Sequence, residues 1–448
     1  MLRRVAISCL LAALALPAAA RTRPHYGGTL SVEVMGNPLA NPGGLARRLI
    51  FEGLTTLDSE GAVQPDLAVD WRSSEMDHRW QFTLRSGVRF QDGSRLTAAA
   101  VVNSLDHSCR KNCPWSDVQA AGSDVIFTSG SPMPHLPALL AAGEFLITLT
   151  KGVNGLPPRN PVGTGPFKFT SNAKGVVTLA AYGDCWQGRP FVDSVEIRGH
   201  RSIANQWLDL NVGRADVVQV PPEMLSQARQ QQLTVAVSPP VTLVALELST
   251  AGALANPKLR AAIAAAVGRG ALFNVIFQKQ GDLTAALLPQ QLTGYAFLFS
   301  TKQNLSKAIA LRGSIQPPLL RLAAEGHGAM QLAAQRIVLN LREAGFRVQM
   351  VAGDPYHADM ILRGLPLAGN NPAAVMERLL LSAGQSQAVT ADSPAALYRV
   401  EKGVLDRHTI VPLLDLPRAW AISGRVRNLS LRADGMPNLA DTWLENAP

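Results

Sequence analysis

Apolar and polar positions first alternate between Gly27 and Val34, where Leu30, Val32 and Val34 share one face and Thr29, Ser31 and Glu33 the other. That period of two predicts a strand, and Gly36, Asn37 and Pro38 end it in a loop. Two further stretches have β character: Phe51 to Leu57, closed by Asp58 to Gly61, and Trp80 to Val88, closed by Gln91, Asp92 and Gly93. Thr97 then supplies a cap for a helix running through Leu105. Pro157, Pro158, Pro161, Gly163, Gly165 and Pro166 demand a rigid irregular loop before a strand from Phe167 to Thr170, as at a domain junction. Farther on the period lengthens. Asn256, Pro257 and Lys258 open a helix whose Leu259, Ile263, Ala266 and Val267 share a buried face, while Arg260 sits on the other. The clearest unit spans 318–351. Leu319 to Ala323 is followed by a helix with the stripe Met330, Ala334, Ile337, Val338 and Leu341, by Gly345 as its left-handed cap, and by the alternating strand Phe346 to Val351. That is a β-α-β unit of an α/β fold.

The N-terminus departs from this patterning. Arg3 and Arg4 precede an uncharged stretch from Val5 to Leu16, and Pro17 to Ala20 bring small side chains, so residues 1–20 read as an export signal cleaved after Ala20. The apolar stretch falls short of the roughly 20 residues a helix needs to cross a bilayer. Cys9 lies too early, with the wrong neighbours, for a lipoprotein site. A soluble periplasmic product is expected.

Composition adds scale. With 448 residues, 47% apolar and 17% charged, the chain has room for more than one core. Its formal charge is +9, and loss of Arg3 and Arg4 with the signal leaves +7. Charge of that sign favours anionic surfaces, but there is no basic run with interleaved aromatics and no helix-turn-helix pattern, so no nucleic-acid partner is expected. Cys109, Cys113 and Cys185 follow the signal. The first two can close a small disulfide loop or stand as plain loop cysteines; with His107 they also spell His-x-Cys-x3-Cys, which matches no standard zinc site. We expect no metal and no cofactor.

The order of short motifs resembles family 5 of the extracellular solute-binding proteins, the group of periplasmic oligopeptide-, dipeptide- and nickel-binding proteins. Gly27 to Leu30 is similar to that family's first strand, and Phe51 to Leu54 to its next segment. Pro65, Asp66, Leu67, Ala68 and Trp71 follow, and then the run Trp80, Phe82, Leu84, Arg85, Gly87, Val88, Phe90, Asp92, Gly93, Leu96, Thr97, Ala98, Val101 and Ser104 resembles its most recognisable stretch. Pro161 to Phe167 is similar to the Gly-Thr-Gly-Pro loop, Gly213 to Val217 to an acidic turn, Arg260 to Arg269 to an arginine-bearing helix, and Leu405 to Leu413 with Val426 to Leu429 to the closing strands. The resemblance covers nearly the whole chain after the signal.

It implies a periplasmic binding protein fold of type II: two hinged α/β lobes with an inserted subdomain in the first. The first lobe would take residues 21–242 and 416–448, with the insertion at about 55–163, and the second 243–415, shortened after 365, with crossings near Val241 and Asp415. It implies a monomer that captures a small solute, peptides among the candidates, between the lobes and presents it to an ABC permease of the inner membrane. The expected contact residues are Met35, Gly36 and Asn37, whose loop faces the cleft in relatives, and Leu365, Asn370 and Asn371.

This sequence departs from the family twice. Leu248, between Glu247 and Ser249, stands where relatives carry Asn. Leu365 to Asn371 stands where peptide binders carry a tryptophan and then the aspartate that anchors the ligand's amine. A free peptide held by that salt bridge is therefore not expected, unless a carboxylate such as Asp354 or Asp359 replaces it. No enzyme is expected either: the chain has no Gly-x-Ser-x-Gly, no His-Glu-x-x-His, no phosphate-cradling Gly-x4-Gly-Lys-Ser/Thr and no Gly-x-Gly-x-x-Gly. The alternative to a solute binder is an interaction protein that keeps the fold without the site.

Overall fold

The computed structural model describes residues 23–40, 43–109, 113–150, 160–351 and 358–445. The expected export signal, Pro157, Pro158 and Asp354 lie outside them. One mixed sheet runs through the molecule, in the order Val348–Met350, Leu320–Ala324, Met360–Pro366, Thr234–Leu248, Ile410–Ile422, Val217–Val220, Thr29–Glu33, Ser194–Arg198, Val176–Ala181, Phe167–Ala173. A short strand, Asp282–Leu283, pairs with the middle of Ile410–Ile422 opposite Asp415 and Leu414.

The two long strands, Thr234–Leu248 and Ile410–Ile422, belong to both ends of this sheet. Thr234 to Val237 pair with Ala419 to Ile422, and Leu243 to Glu247 pair with Ile410 to Asp415. Between these stretches the register shifts twice, at Pro240, which faces Pro417. Proline has no N–H to give a ladder, so the two sheet halves meet along a line where cross-strand bonding is sparse. Ser238 bridges the gap: its hydroxyl accepts from the Arg418 N–H at 2.9 Å and donates to the Pro239 carbonyl.

Each half buries both sheet faces, which the two-residue period makes possible. In the half containing the β-α-β unit, Val244, Leu246 and Leu248 point into a core with Ile337, Leu341 and Leu413, while Leu243 and Ala245 point the opposite way, onto Met376, Leu379 and Leu397. In the other half Val217 and Trp420 join Leu30 and Val195 on one face, and Val218, Ala419 and Ala421 join Trp207 and Leu210 on the other. Asp216, 1% exposed, ties this half together by accepting from the Arg425 guanidinium at 2.6 and 2.7 Å and from the Ser31 N–H at 2.9 Å. A further core fills a separate four-stranded sheet, Ala68–Ser74, Arg79–Leu84, Asp124–Thr128 and Asp117–Ala121, under the helix Ala98–Ser108. Thr97 caps that helix through the Ala100 N–H.

The β-α-β unit forms as its periods predict: Leu320–Ala324 and Val348–Met350 pair in parallel around the helix Ala329–Glu343, with Gly345 at φ 83°. Some expectations need correction. Arg260 does not face outward; it is 9% exposed and donates to the carbonyls of Leu254, Ala255 and Arg407 at 2.7, 3.1 and 3.0 Å. The stretch Phe51 to Leu57 is strand only at Thr55–Leu57, and a helix, Leu45–Ile50, precedes it. Two helices that the periodicity does not single out, Pro372–Ser382 and Pro394–Asp406, follow Leu365 without bearing on the expected shortening. A disulfide joins Cys109 to Cys113, so neither sulfur is a free thiolate. Cys185 is free and buried, its thiol pushed up to about 11, mainly by that burial.

Candidate functional site

Where the two halves meet there is a cavity of about 500 Å³. Its floor is the proline-interrupted crossing, represented by Val237, Pro240 and Val241, and Leu292 and Leu367 close it from the other half. A β-hairpin, Thr55–Leu57 with Val63–Pro65, forms the rim. Its turn exists because Asp58 accepts from the Glu60 and Ala62 N–H groups, both at 2.9 Å, and Gly61 takes φ +82°. The Gly61 carbonyl accepts from the Asn370 N–H at 3.1 Å, which joins the two sides. A Cβ on Gly61 would lie 2.7 Å from the Gly369 carbonyl carbon, so only glycine permits this approach. His135 adds a second tie across the halves, through the Val389 carbonyl at 2.9 Å.

The cavity is mainly apolar. Its charged lining residues are Glu60, which is exposed, and Arg432, whose guanidinium reaches the Thr56 hydroxyl at 3.2 Å. Behind the wall lies a cluster of arginines around one carboxylate. Arg48 pairs with Asp434 at 2.9 Å. Burial opposes ionisation of Asp434, but Arg48, Arg418 and Arg432 outweigh it and hold the carboxyl below its ordinary value. Arg378 is 6% exposed and donates to the Ala368 carbonyl, bracing the backbone that meets Gly61.

Below the hairpin, Glu52 and Asp66 share a buried polar nest. Glu52 accepts from the Trp186 indole at 3.0 Å and the Gln187 amide at 2.9 Å, and Asp66 accepts from the Gly53 N–H at 3.2 Å. Desolvation first, and then the neighbouring Asp66 charge, push the Glu52 carboxyl up to about 8; desolvation also raises Asp66.

The structure separates the expected contact residues. Met35 is half-buried, with its N–H donating to the Gln219 side chain at 3.1 Å, and Gly36 and Asn37 are exposed beside it; none of the three lines the cavity. Leu365 is 1% exposed and packs in the core with Met376 and Leu379. The Asn371 side chain is committed as the cap of Pro372–Ser382, accepting from the Ala373 and Ala374 N–H groups at 3.0 and 3.1 Å. Asn370 stands at the contact with Gly61. Asp359, a candidate replacement anchor, accepts from the Arg321 N–H at 2.7 Å instead. Sequence reasoning missed Gly61, Gly369, Arg378 and Arg432. The only available signal was the Asp58-to-Gly61 turn, which marks a hairpin tip but not what the tip touches. Among the described residues no three His, Cys, Asp or Glu side chains group to hold a metal ion.

A mixed α/β sheet is thus divided by two proline-broken crossing strands, with a cavity at the division. The family model for bacterial extracellular solute-binding proteins, family 5 middle, matches residues 62–387, and the chain belongs to that family. The binding protein AgaA of A. tumefaciens R10, solved with agropinic acid, superimposes with a TM-score of 0.81 at 20% identity, over 94% of this chain and 99% of that one. The HTH-type transcriptional regulator SgrR of Pectobacterium atrosepticum is 33% identical over 34% of this chain and 28% of its own length. The glutathione-binding protein GsiB of Salmonella typhi is 26% identical over 54% of this chain and 51% of its own length. The chain thus spans about half, or less, of these curated relatives.

Proposed function

We propose that the protein captures a small solute in the cavity between its halves and presents it, as a monomer exported to the periplasm, to an ABC permease. The observation that carries this reading is the position of the cavity. It lies on the line where the two connecting strands lose their ladder at Pro240 and Pro417, so motion about that line opens or shuts it. The first lobe would then hold residues 21–242 and 416–448, and the second 243–415. Gly61 meeting Asn370 is the latch of the closed form.

The lining narrows the solute. It offers apolar walls and Arg432, and no buried carboxylate to pair with a peptide's terminal ammonium. Leaving a buried charge unpaired costs on the order of 3–5 kcal/mol, roughly two to four decades of affinity. A solute with an apolar body and an acceptor group for Arg432 fits better. Native mass spectrometry of the purified protein, followed by a thermal-shift panel, tests the reading: a bound small molecule or a raised melting temperature is expected. If no solute class shifts the melting temperature and no ligand is carried, the chain is an interaction protein that keeps the fold.

A further inference from the structure

We propose that the half containing the β-α-β unit carries a second pocket, apart from the cleft, for a small organic ammonium ion bearing N–H groups. The pocket encloses about 290 Å³ and is lined by Asp415 and Asp282 together with the rings of Tyr295, Phe297 and Phe299. Of its lining residues only Gln291 also lines the cleft cavity.

Asp415 is the key observation. It sits on Ile410–Ile422, 2% exposed, and its Oδ1 has no hydrogen-bond partner. Buried acceptors without a donor are few in folded proteins, and one that lines a pocket is an invitation to a donor from outside. Its neighbour Glu401 differs: it is also fully buried, but it accepts from the Leu287 N–H at 2.6 Å, the Leu288 N–H at 3.2 Å and the Tyr295 hydroxyl at 2.6 Å. Glu401 is therefore spent on building the wall, and Asp415 is left for a ligand.

The remaining walls suit a cation. Tyr398 stacks on Phe299 at 5.5 Å and meets Tyr295 edge-on at 5.8 Å, which fixes both rings. Phe297, 97% exposed at φ 59°, holds a conformation that aromatic residues rarely adopt. Asp282 adds a second, exposed carboxylate. Carboxylates beside aromatic faces attract an ammonium group by charge and by the ring quadrupole. The orphaned Oδ1 requires a hydrogen donor, so a primary ammonium fits and a quaternary one does not.

With no cation beside it, burial and then the nearby Asp282 and Glu401 raise the Asp415 carboxyl well above its ordinary value, which favours its protonated form. An arriving ammonium favours the carboxylate and displaces that proton. The other titratable group in the lining is the Tyr295 hydroxyl, which donates to Glu401.

Titration calorimetry of the full chain with n-butylammonium, n-butanol and tetramethylammonium tests this. Butylammonium should bind once per chain, with a heat that depends on the buffer's own ionisation, and more weakly as pH is lowered. Butanol and tetramethylammonium should bind far less. Asp415→Asn, which keeps the shape and an acceptor, should fold and lose butylammonium affinity by roughly thirtyfold or more. Phe299→Ala should weaken it independently, and Gly61→Val, which disturbs only the cleft, should leave it intact. Equal binding of butanol, undiminished binding by Asp415→Asn, loss of binding in Gly61→Val, or no saturable binding at tens of millimolar would each overturn the proposal.

Discussion

The carboxyls below the cleft and the carboxyl in the second pocket differ in one respect that matters. Glu52 and Asp66 are buried, and burial raises both, yet each has its donors: Trp186 and Gln187 for one, the Gly53 N–H for the other. Asp415 is as deeply buried and has none for Oδ1. A shifted acid by itself marks only a dry place; an acid that is both shifted and unpartnered marks a place where a ligand would be welcome. Both line a cavity, of about 70 Å³ for the first pair and about 290 Å³ for Asp415, but only Asp415 turns an unpartnered oxygen to it.

The strongest way to break this comparison is Glu401→Ala. It leaves the Leu287 and Leu288 N–H groups and the Tyr295 hydroxyl without their acceptor, and should cost about 3 kcal/mol or more of stability by denaturant titration. It should also dissolve the wall of the second pocket. Gly61→Val comes next. The added branch meets the Gly369 backbone in a left-handed turn, which should hold the hairpin off and cost about 2 kcal/mol, or about thirtyfold, in affinity for a cleft solute by calorimetry.

A smaller effect follows from pH. Glu52 titrates near its ordinary 4.5 in the unfolded chain and near 8 in the folded one, so the folded state holds the extra proton between those values. Stability should therefore fall as pH rises from about 5 to about 8, by at most about 1.4 kcal/mol for each pH step of one within that window, and Glu52→Gln should flatten the dependence of melting temperature on pH. The smallest effect is Asn371→Ala. Losing the cap of Pro372–Ser382 should cost about 1 kcal/mol in a melting experiment while leaving solute affinity unchanged, which separates capping from contact.

How much of this was legible in the sequence depended on the span over which each feature is encoded. The β-α-β unit from Leu320 to Met350 is local, and its periods predict it. Thr97 and Asn256 announce their helices because a cap acts within three residues. Asn371 followed by Pro372 carries the same signal, yet the resemblance to peptide binders points to solute contact there instead. The outward placement of Arg260 failed because three carbonyls from other turns of the chain draw the guanidinium in. The second pocket needs Asp282, Tyr295, Tyr398, Glu401 and Asp415 to converge from three separate segments, and no spacing in the sequence encodes that.

The paired crossing strands also set an order of assembly. Residues 242–416 are contiguous and contain every strand of their half, so that half can complete its cores from a single stretch of chain. The other half cannot. Its sheet has Ala419 to Ile422 wedged between Thr234–Val237 and Val217–Val220, and its ion pair joins Asp216 to Arg425. Such long sequence separations are slow to close. The half whose first strand comes earliest in the chain thus needs Ala419 to Ile422, about two hundred residues on from Val217–Val220, to fill the gap in its sheet.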